Sequence, residues 1–313
     1  ASVIDHVGAK IVLVDTAPES FEMNYEKLAD AITERTKAII PVDIAGKMCD
    51  YEKIYEAVES KKKLFKATND IQHLFNRVIV MADAAHAFGA ERKGMKCGQV
   101  ADFTCFSFHA VKNITTSEGG AVVWRNDLGL DDEWLYHQFM LYSLHGQSKD
   151  ALAKNQKGSW EYDIIYPAYK CNMTDILSAI GLIQLERYEA LLERRKGIIK
   201  AYDRALLPLG VKSLLHYGED YASTGHLYLA RIPGIGETER NEIIIRMAEA
   251  GIATNVHYKP LPMFTAYKKL GFDIKNYPNA FDMYKNEITL PLHTLLSNED
   301  VEYVLKGFKI IIL

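Results

Sequence analysis

The chain has 313 residues, 48% hydrophobic and 25% charged, a composition typical of a globular protein whose core fills one large domain or two. Its net charge of -4 gives no basic surface for nucleic acid or an anionic membrane, and no apolar run approaches the roughly 18 residues of a membrane helix. Four scattered cysteines show neither metal-binding nor disulfide spacing, which favours a cytoplasmic location.

Short β-branched runs alternate with segments of helical period through the N-terminal part of the chain. The runs predicted as strands are "KIVLVD" from Lys10, "KAIIPVDIAG" from Lys37, "RVIVMADAAHAFGA" from Arg77 and "ADFTCFSF" from Ala101. "YEKLADAITERT" and "DYEKIYEAVES" are predicted helices, and "KKKLFKATNDIQHLFN" is predicted as an insertion. Since apolar runs bounded by turn residues suit strands buried on both faces, the alternation predicts βαβ units and a mostly parallel sheet.

The C-terminal part starts with a predicted helix from Asp175 to about Leu206, whose apolar positions keep a helical period. A second α/β pattern follows, with predicted strands "HLYLARI" and "ATNVHYKP" and predicted helices "ETERNEIIIRMAEAG" and "NEDVEYVLKGFKIII". The sequence therefore predicts a large domain over residues 1–174, a bridging helix over residues 175–207 and a smaller α/β domain over residues 208–313.

Polar residues that directly follow the buried strands are the candidates for a site. In mostly parallel sheets, ligands bind at the carboxyl ends of the strands. Asp83 and His86 follow one predicted strand, and the segment from Ser107 to Lys112 follows another. We therefore expect these residues to lie at one edge of the sheet.

Lys112 is the candidate nucleophile. Most lysines are solvated surface groups, but this one lies between a buried strand and the turn "TTSEGG". An amine in a partly desolvated place has a lowered pKa and can attack carbonyls. Schiff-base chemistry is thus the leading hypothesis.

Asp83 and the hydroxyl residues would complete a cofactor site. A carboxylate at the end of a hydrophobic strand needs a positive or hydrogen-bonding partner. One such partner is the pyridinium nitrogen of pyridoxal phosphate. Alternatively, Asp83 caps the turn that follows the strand. His86 could hydrogen-bond the phenolic oxygen of that ring or be an ordinary buried histidine. Ser107 and the cluster "TTS" beside Gly119 and Gly120 offer hydroxyls for a phosphate, although such clusters also form ordinary turns.

The string "ADAAHAFGAERKG…GQVADFTCFSFHAVKNITTSEGGAVV" resembles the signature of the DegT-type sugar aminotransferases. The similarity continues through "YKCNMTDILSAIGLIQLERYEALLERR" and "GIATNVHYKPLP" to "LPLHTLLSNEDVEYV", which covers nearly the whole chain. The resemblance implies the fold of aspartate aminotransferase, called fold type I, with pyridoxal phosphate as the cofactor.

The resemblance also implies roles for individual residues. Lys112 matches the lysine that binds the cofactor covalently, Asp83 the aspartate at the pyridine nitrogen, and His86 the residue facing the cofactor hydroxyl. Ser107 matches a phosphate-contacting serine. Asn172 matches an asparagine that reaches the phosphate in the neighbouring subunit, which implies a homodimer with shared active sites.

The expected substrates follow from the same resemblance. The variant "SFHAVKNITT", with His109 three residues before the lysine, is closest to aminotransferases that act on UDP-linked 4-keto sugars, and His257 matches a position near the substrate. His109 and His257 are thus the expected substrate-binding residues. The resemblance implies that glutamate donates the amino group and that the product serves cell-surface glycan synthesis.

Two departures from the family pattern are visible. Relatives begin with about seventy to eighty further residues, among them a helix start whose backbone N–H groups bind the cofactor phosphate, so we expect the chain to lack a segment that comes first in its relatives. In "HYKPLPMF", relatives often have another histidine after Pro-Leu, so contacts near Pro262 are not carried over.

Three alternatives to the aminotransferase remain. Related sugar dehydratases use the same cofactor but have histidine at the lysine position, where this chain has Lys112. A cofactor-binding or regulatory relative without turnover is a second alternative. A nicotinamide-dependent dehydrogenase is the third, and the lack of a GxGxxG motif after a strand argues against it.

Overall fold

The computed structural model of the chain describes residues 1–149 and 160–313. Its α-helices run over Ser2–His6, Tyr25–Ala31, Tyr51–Ser60, Asp70–Phe75, Asp132–Ser143, Asp175–Glu186, Tyr188–Leu206, Glu237–Glu249, Thr265–Lys269, Pro278–Lys285 and Asn298–Ile312. Its strands, numbered in chain order, are β1 Ala38–Ile39, β2 Ile79–Asp83, β3 Glu91–Arg92, β4 Met95–Lys96, β5 Phe103–Ser107, β6 Gly120–Trp124, β7 Lys212–Ser213, β8 Tyr221–Ala222, β9 Tyr228–Arg231 and β10 Glu287–Leu290. None of the helices in the described ranges has the length and apolar character needed to cross a membrane.

The main sheet has the strand order β1-β2-β5-β6. β1 and β2 are parallel, as are β2 and β5, while β6 returns antiparallel to β5. One core contains residues of β2 and the helix Tyr51–Ser60, which buries Tyr51, Ile54, Ala57 and Val58. The predicted α/β fold with a mostly parallel sheet is therefore confirmed.

A second core lies in the C-terminal part. β9 pairs antiparallel with both β10 and β7, and every residue of β9 and β10 is buried. Residues of Tyr188–Leu206, Glu237–Glu249 and Asn298–Ile312 contribute to this core. The boundaries predicted at residues 174 and 207 stay a prediction.

A small third sheet links the two parts, because β3 pairs with β4 on one side and with β8 on the other. The chain after β8 then lies across the main domain: Thr224 N donates to Gly46 O at 3.1 Å, and His226 N donates to Ala45 O at 2.9 Å. Residues of the C-terminal part thereby reach the edge of the main sheet.

The strand predicted over Lys10 to Asp15 is wrong, since no strand forms there. The carboxylate of Asp15 instead accepts the backbone N–H groups of Asn279 and Ala280, at 3.1 and 2.9 Å, and so caps the helix Pro278–Lys285. The end of this segment is therefore held by hydrogen bonds to the first turn of a helix and not by pairing with a neighbouring strand.

The predicted strand "ATNVHYKP" is also absent. Asn255 forms a single bridge with Thr289, after which the backbone N–H of His257 donates to the carboxylate of Glu287 at 2.9 Å. The Glu287 side chain thus accepts the N–H that a backbone carbonyl of a neighbouring strand would otherwise accept. The chain then turns away from the sheet.

The long helix predicted from Asp175 to about Leu206 consists of two helices that meet at Arg187. Tyr188, the first residue of the second helix, is buried and donates its hydroxyl to Phe88 O at 2.6 Å. The break lets this tyrosine dock on the main domain.

Candidate active site

Lys112 lies in the connection between β5 and β6, at the carboxyl end of β5. Backbone hydrogen bonds close this connection: Phe108 N donates to Gly119 O at 2.8 Å, Thr116 N to Phe108 O at 2.9 Å, and Lys112 N to His109 O at 2.9 Å. The lysine is therefore held in a defined turn at the edge of the sheet.

Asp83 ends the neighbouring strand β2, and it is paired with Cys105 of β5. Its Oδ1 accepts the backbone N–H of Ala85 at 3.3 Å, and within residues 1–149 and 160–313 no cation forms an ion pair with it. A carboxylate in this state can accept a hydrogen bond from a cationic ring.

The Lys112 amine and the Asp83 carboxylate interact electrostatically. Burial lowers the pKa of Lys112, and the negative charge of Asp83 raises it in part. Burial thus favours a neutral amine, which is the form that attacks carbonyls and accepts protons.

His86 is buried beside these two residues and is held by both ring nitrogens. Nδ1 accepts the backbone N–H of Ala45 at 3.2 Å, and Nε2 lies 3.3 Å from the hydroxyl of Tyr258. Burial lowers its pKa to about 3, with smaller contributions from Lys112 and His257. Since Nδ1 is an acceptor, the neutral ring carries its proton on Nε2.

His226 and Asn113 belong to the site although the sequence analysis did not predict them. The rings of His226 and His86 have centroids 4.2 Å apart, and His226 Nδ1 lies 2.8 Å from Asn113 Oδ1. Asn113 also donates to Thr224 O at 3.0 Å. Burial is the main cause that lowers the pKa of His226 to about 2, and His86 and Lys112 lower it further. The only local signal was an asparagine directly after the candidate lysine.

His257 has two partners that the sequence analysis also missed. Its Nδ1 lies 2.9 Å from Thr289 Oγ1, and Thr289 Oγ1 donates to Glu287 Oε1 at 2.5 Å. Burial lowers the pKa of His257, and the charge of Lys112 lowers it further. His257 is thus within electrostatic range of the candidate nucleophile.

Ser107 ends β5, and its Oγ accepts the backbone N–H of His109 at 3.3 Å. Its own hydroxyl hydrogen remains available to a phosphate. The neighbouring threonines differ from the expectation, because Thr115 donates to Phe108 O at 3.2 Å and Thr116 to Glu118 O at 2.8 Å. The hydroxyl hydrogens of both threonines are used in hydrogen bonds within the loop and are not free for a ligand.

His109 and Asn172 lie apart from the residues described above. His109 is exposed, with Nε2 3.6 Å from Glu118 Oε1, and Asn172 is exposed and accepts a hydrogen bond from Lys170. A single chain therefore brings together Lys112, Asp83 and three histidines, while these two residues face outward.

The site has the donor set that a phosphorylated pyridine aldehyde requires. It offers an amine whose pKa is lowered, a carboxylate without a cation, a histidine N–H and a serine hydroxyl, from Lys112, Asp83, His86 and Ser107 respectively. These groups match the aldehyde, the ring nitrogen, the ring oxygen and the phosphate in turn. The residues present therefore fit the cofactor expected from the sequence.

Comparison with known proteins gives a consistent picture. A model of the DegT/DnrJ/EryC1/StrS aminotransferase family matches residues 1–309. The spore coat polysaccharide biosynthesis protein SpsC of Bacillus subtilis is 34% identical over 318 residues, which are 100% of this chain and 76% of that protein. A UDP-4-amino-4,6-dideoxy-N-acetyl-beta-L-altrosamine transaminase of Campylobacter jejuni is 32% identical over 300 residues, which are 95% of this chain and 72% of that enzyme.

Solved structures agree with these relatives. The PMP form of Spr1654 from Streptococcus pneumoniae, assigned as a sugar aminotransferase, has a TM-score of 0.96 and 54% identity, and the match covers 99% of this chain and 78% of that one. The PLP form of the same protein has a TM-score of 0.95 and 52% identity, covering 99% and 77%.

Proposed function

The chain belongs to the DegT/DnrJ/EryC1/StrS aminotransferase family, and we propose that it transfers the amino group of glutamate to a UDP-linked 4-keto sugar for cell-surface glycan synthesis. As a member it is a pyridoxal-phosphate-dependent sugar aminotransferase of fold type I. The observation that carries the proposal is the Lys112 amine, held within electrostatic range of the Asp83 carboxylate at one edge of the sheet.

The proposed acceptor is supported by the relatives. The Campylobacter jejuni enzyme is named as a transaminase of a UDP-linked amino sugar, and SpsC is named for polysaccharide biosynthesis. The "SFHAVKNITT" segment, with His109, resembles such enzymes as well. The presence of Lys112 disfavours the dehydratase alternative, in which histidine occupies that position.

When bound, pyridoxal phosphate supplies an aldehyde that condenses with amines and a ring that accepts electrons from the substrate carbon. Lys112 would attach the cofactor and, once its amine is free, would take the proton from the carbon of the amino donor in the first half-reaction and deliver a proton to the sugar carbon in the second. The lowered pKa of Lys112 suits this role, because a neutral amine is the form that accepts a proton.

The other residues would hold charge and orientation. Asp83 would accept the N–H of the protonated ring, and His86, whose Nδ1 already accepts from Ala45 N, would donate its Nε2–H to the ring oxygen. Ser107, whose Oγ accepts from His109 N, would donate its hydroxyl hydrogen to the phosphate. Because His86 and His226 are buried, they stay neutral and add no positive charge that would repel the ring nitrogen.

We also propose that the working unit is a homodimer in the cytoplasm, with Asn172 reaching the phosphate site of the second subunit. The helix Asp175–Glu186, which follows Asn172, has no buried residue, and Ile176, Leu182 and Ile183 are 76%, 65% and 58% exposed. Large apolar side chains that are exposed together on one helix are typical of an interaction surface. The cytoplasm is supported by four cysteines that remain unpaired.

The test is a pair of half-reactions. The protein is loaded with pyridoxal phosphate and mixed with glutamate, and we expect the visible absorbance of the bound cofactor to change to that of its amine form. Addition of a panel of UDP- and dTDP-keto sugars should then restore the first spectrum with a UDP-4-keto sugar, and mass spectrometry should identify the aminated product.

Two variants give the control. Lys112→Ala should abolish both half-reactions, whereas Lys62→Ala, which removes a surface lysine paired with Glu59, should leave them intact. A loaded protein that glutamate and other amino acids leave unchanged would instead support a cofactor-binding protein without turnover.

A further inference from the structure

We propose that Glu287 and Thr289 form a proton relay behind His257, and that this relay decides whether His257 offers a proton or a lone pair to the substrate. The proposal deepens the proposed function, on which it rests only for the identity of the ligand. Glu287 and Thr289 would be positioning residues, since neither needs to touch the substrate.

Three hydrogen bonds define the relay. Glu287 Oε2 accepts the backbone N–H of His257 at 2.9 Å, Glu287 Oε1 lies 2.5 Å from Thr289 Oγ1, and Thr289 Oγ1 lies 2.9 Å from His257 Nδ1. Nδ1 is thereby engaged, and no hydrogen bond reaches Nε2 from the part of the chain that the structure describes. Nε2 is left for a ligand.

The protonation state of Glu287 fixes the direction of the bonds. Its Oε2 is always an acceptor, because a backbone N–H only donates, so an added proton must sit on Oε1. When Glu287 is ionised, Thr289 donates to it and accepts from His257 Nδ1–H, which leaves a lone pair on Nε2. When Glu287 is protonated, it donates to Thr289, Thr289 donates to Nδ1, and the imidazole proton is on Nε2.

Burial makes both states of Glu287 accessible. The side chain is 1% exposed, and burial raises its pKa to about 8, against smaller lowering effects from Thr289, the His257 backbone and Arg240. The guanidinium of Arg240, whose charge acts on Glu287, is directed at backbone oxygens: its Nη1 donates to those of Tyr284 and Glu287 at 3.0 and 3.3 Å. A carboxyl in this environment gains and loses its proton near neutral pH.

The charged and titratable groups that face the relay come from several elements. Arg240 belongs to the helix Glu237–Glu249, and the charge of Glu287 raises the pKa of Tyr258. On the ligand side of His257, its pKa responds to Lys112, and His257 in turn lowers the pKa values of His86 and His226. Burial and the charge of Lys112 both disfavour the imidazolium form of His257. A relay that keeps the imidazole neutral is therefore the favoured route for a proton between Glu287 and the ligand.

The proton balance is simple. His257 Nε2–H passes its proton to the oxygen of the ligand, Nδ1 takes the proton of Thr289, and Thr289 takes that of Glu287. The ligand gains one proton, Glu287 becomes a carboxylate, and His257 stays neutral throughout. A keto sugar needs such a donor at its carbonyl oxygen, and the reverse movement would accept a proton from a hydroxyl.

The experiment reads the tautomer of His257 by ¹⁵N NMR in protein labelled at histidine, with the resonances assigned by their loss in His257→Gln. In the wild type we expect a change from Nε2–H to Nδ1–H as the pH rises through about 8. In Glu287→Gln the amide oxygen accepts from His257 N and the amide NH₂ donates to Thr289, so the Nε2–H form should persist as the pH rises through this range.

Thr289 supplies an independent pair of variants if Glu287→Gln fails to fold. Thr289→Val removes the hydroxyl at nearly constant shape and should abolish the tautomer change, whereas Thr289→Ser should keep it. With the accepted keto sugar, Thr289→Val should lower turnover by about tenfold to a hundredfold, and Thr289→Ser should restore most of it.

The proposal is overturned if the wild-type tautomer does not respond to pH, or if Thr289→Val responds as the wild type does. Because the NMR measurement uses no substrate, it stands whichever sugar the protein accepts. An inactive protein with the expected tautomer change would therefore contradict the proposed function and not the relay.

Discussion

Burial moves the pKa values of acidic and basic groups in this site in opposite directions. It raises the pKa of Glu287 to about 8 and lowers those of His86 and His226 to about 3 and about 2. All three side chains therefore favour their neutral forms at pH 7. The electrostatics of the site are then dominated by Lys112 and Asp83, the two residues proposed to bind the cofactor ring.

The buried carboxyl of Glu287 should make the free energy of unfolding depend on pH. Its folded-state pKa lies above the ordinary value of 4.5, so its contribution to stability is fully present below pH 4.5 and is lost as the pH rises through about 8. Between these values, we expect Glu287→Gln to lose less stability than the wild type, by up to about 1.4 kcal/mol for each pH unit. Urea unfolding of both proteins across this range measures the difference.

The exposed Glu302 gives the matched control, since Glu302→Gln should follow the wild-type pH dependence. Parallel stability curves for the wild type and Glu287→Gln would show that the buried carboxyl does not hold its proton in this range.

Residues of the site differ in how far the sequence could predict them. Asp83, His86 and Lys112 lie at or shortly after the ends of buried strands, a position that the local sequence pattern indicates. His226, Asn113 and Thr289 have ordinary surroundings in the sequence, and they join the site through contacts between distant segments. Such contacts follow from the packing of elements and, apart from the place of Asn113 directly after Lys112, have no local signal.

At the scale of elements, the segment after β8 holds the site together. Thr224 donates its hydroxyl to His86 O at 2.6 Å, and Ser223 Oγ donates to Ala45 O at 3.3 Å. The turn that receives this segment has Gly46 in a left-handed conformation, with φ of 89°. The ring pair of His226 and His86, with an interplanar angle of 36°, is thus positioned by contacts between three separate parts of the chain.

Gly46→Ala tests this contact. An added Cβ would lie 1.9 Å from Thr224 Oγ1 and 2.9 Å from His86 O, in a backbone conformation that disfavours any side chain. We expect a loss of about 2 kcal/mol or more in unfolding free energy, measured with denaturant. Ala45→Gly is the matched control, because Ala45 also has a positive φ, of 54°, where glycine is at least as well tolerated. Equal stabilities of the two variants would argue against close packing at Gly46.

The elements that the sequence predicted well are those with a strong internal pattern, such as β2, β5 and the helix Tyr51–Ser60. The predicted strands at Lys10 and Ala253 failed, since a strand needs a neighbour to pair with and a local pattern does not contain that neighbour. In the first place the buried carboxylate of Asp15 accepts a backbone N–H of a distant helix, and in the second the buried carboxylate of Glu287 accepts the backbone N–H of His257.

At the level of the whole molecule, the helix Asp175–Glu186 has no buried residue in a single chain. We expect Ile183→Lys to shift the protein from dimer to monomer, because the charge would have to be buried in the proposed interface. Light scattering measures the mass, and turnover should fall with it, as Asn172 would no longer reach the second site.

Ile310→Lys provides the control, since Ile310 is also exposed, at 64%, but belongs to the last helix, Asn298–Ile312. A dimeric Ile183→Lys protein, or an active monomer, would contradict the shared site.

Covalent attachment of the cofactor to Lys112 can be tested by trapping the link. The protein is loaded with pyridoxal phosphate, treated with borohydride to fix the covalent link, digested, and analysed by peptide mass spectrometry. We expect a single modified lysine, Lys112, in the segment "HAVKNITT". Modification of a different lysine, with Lys112 untouched, would contradict it.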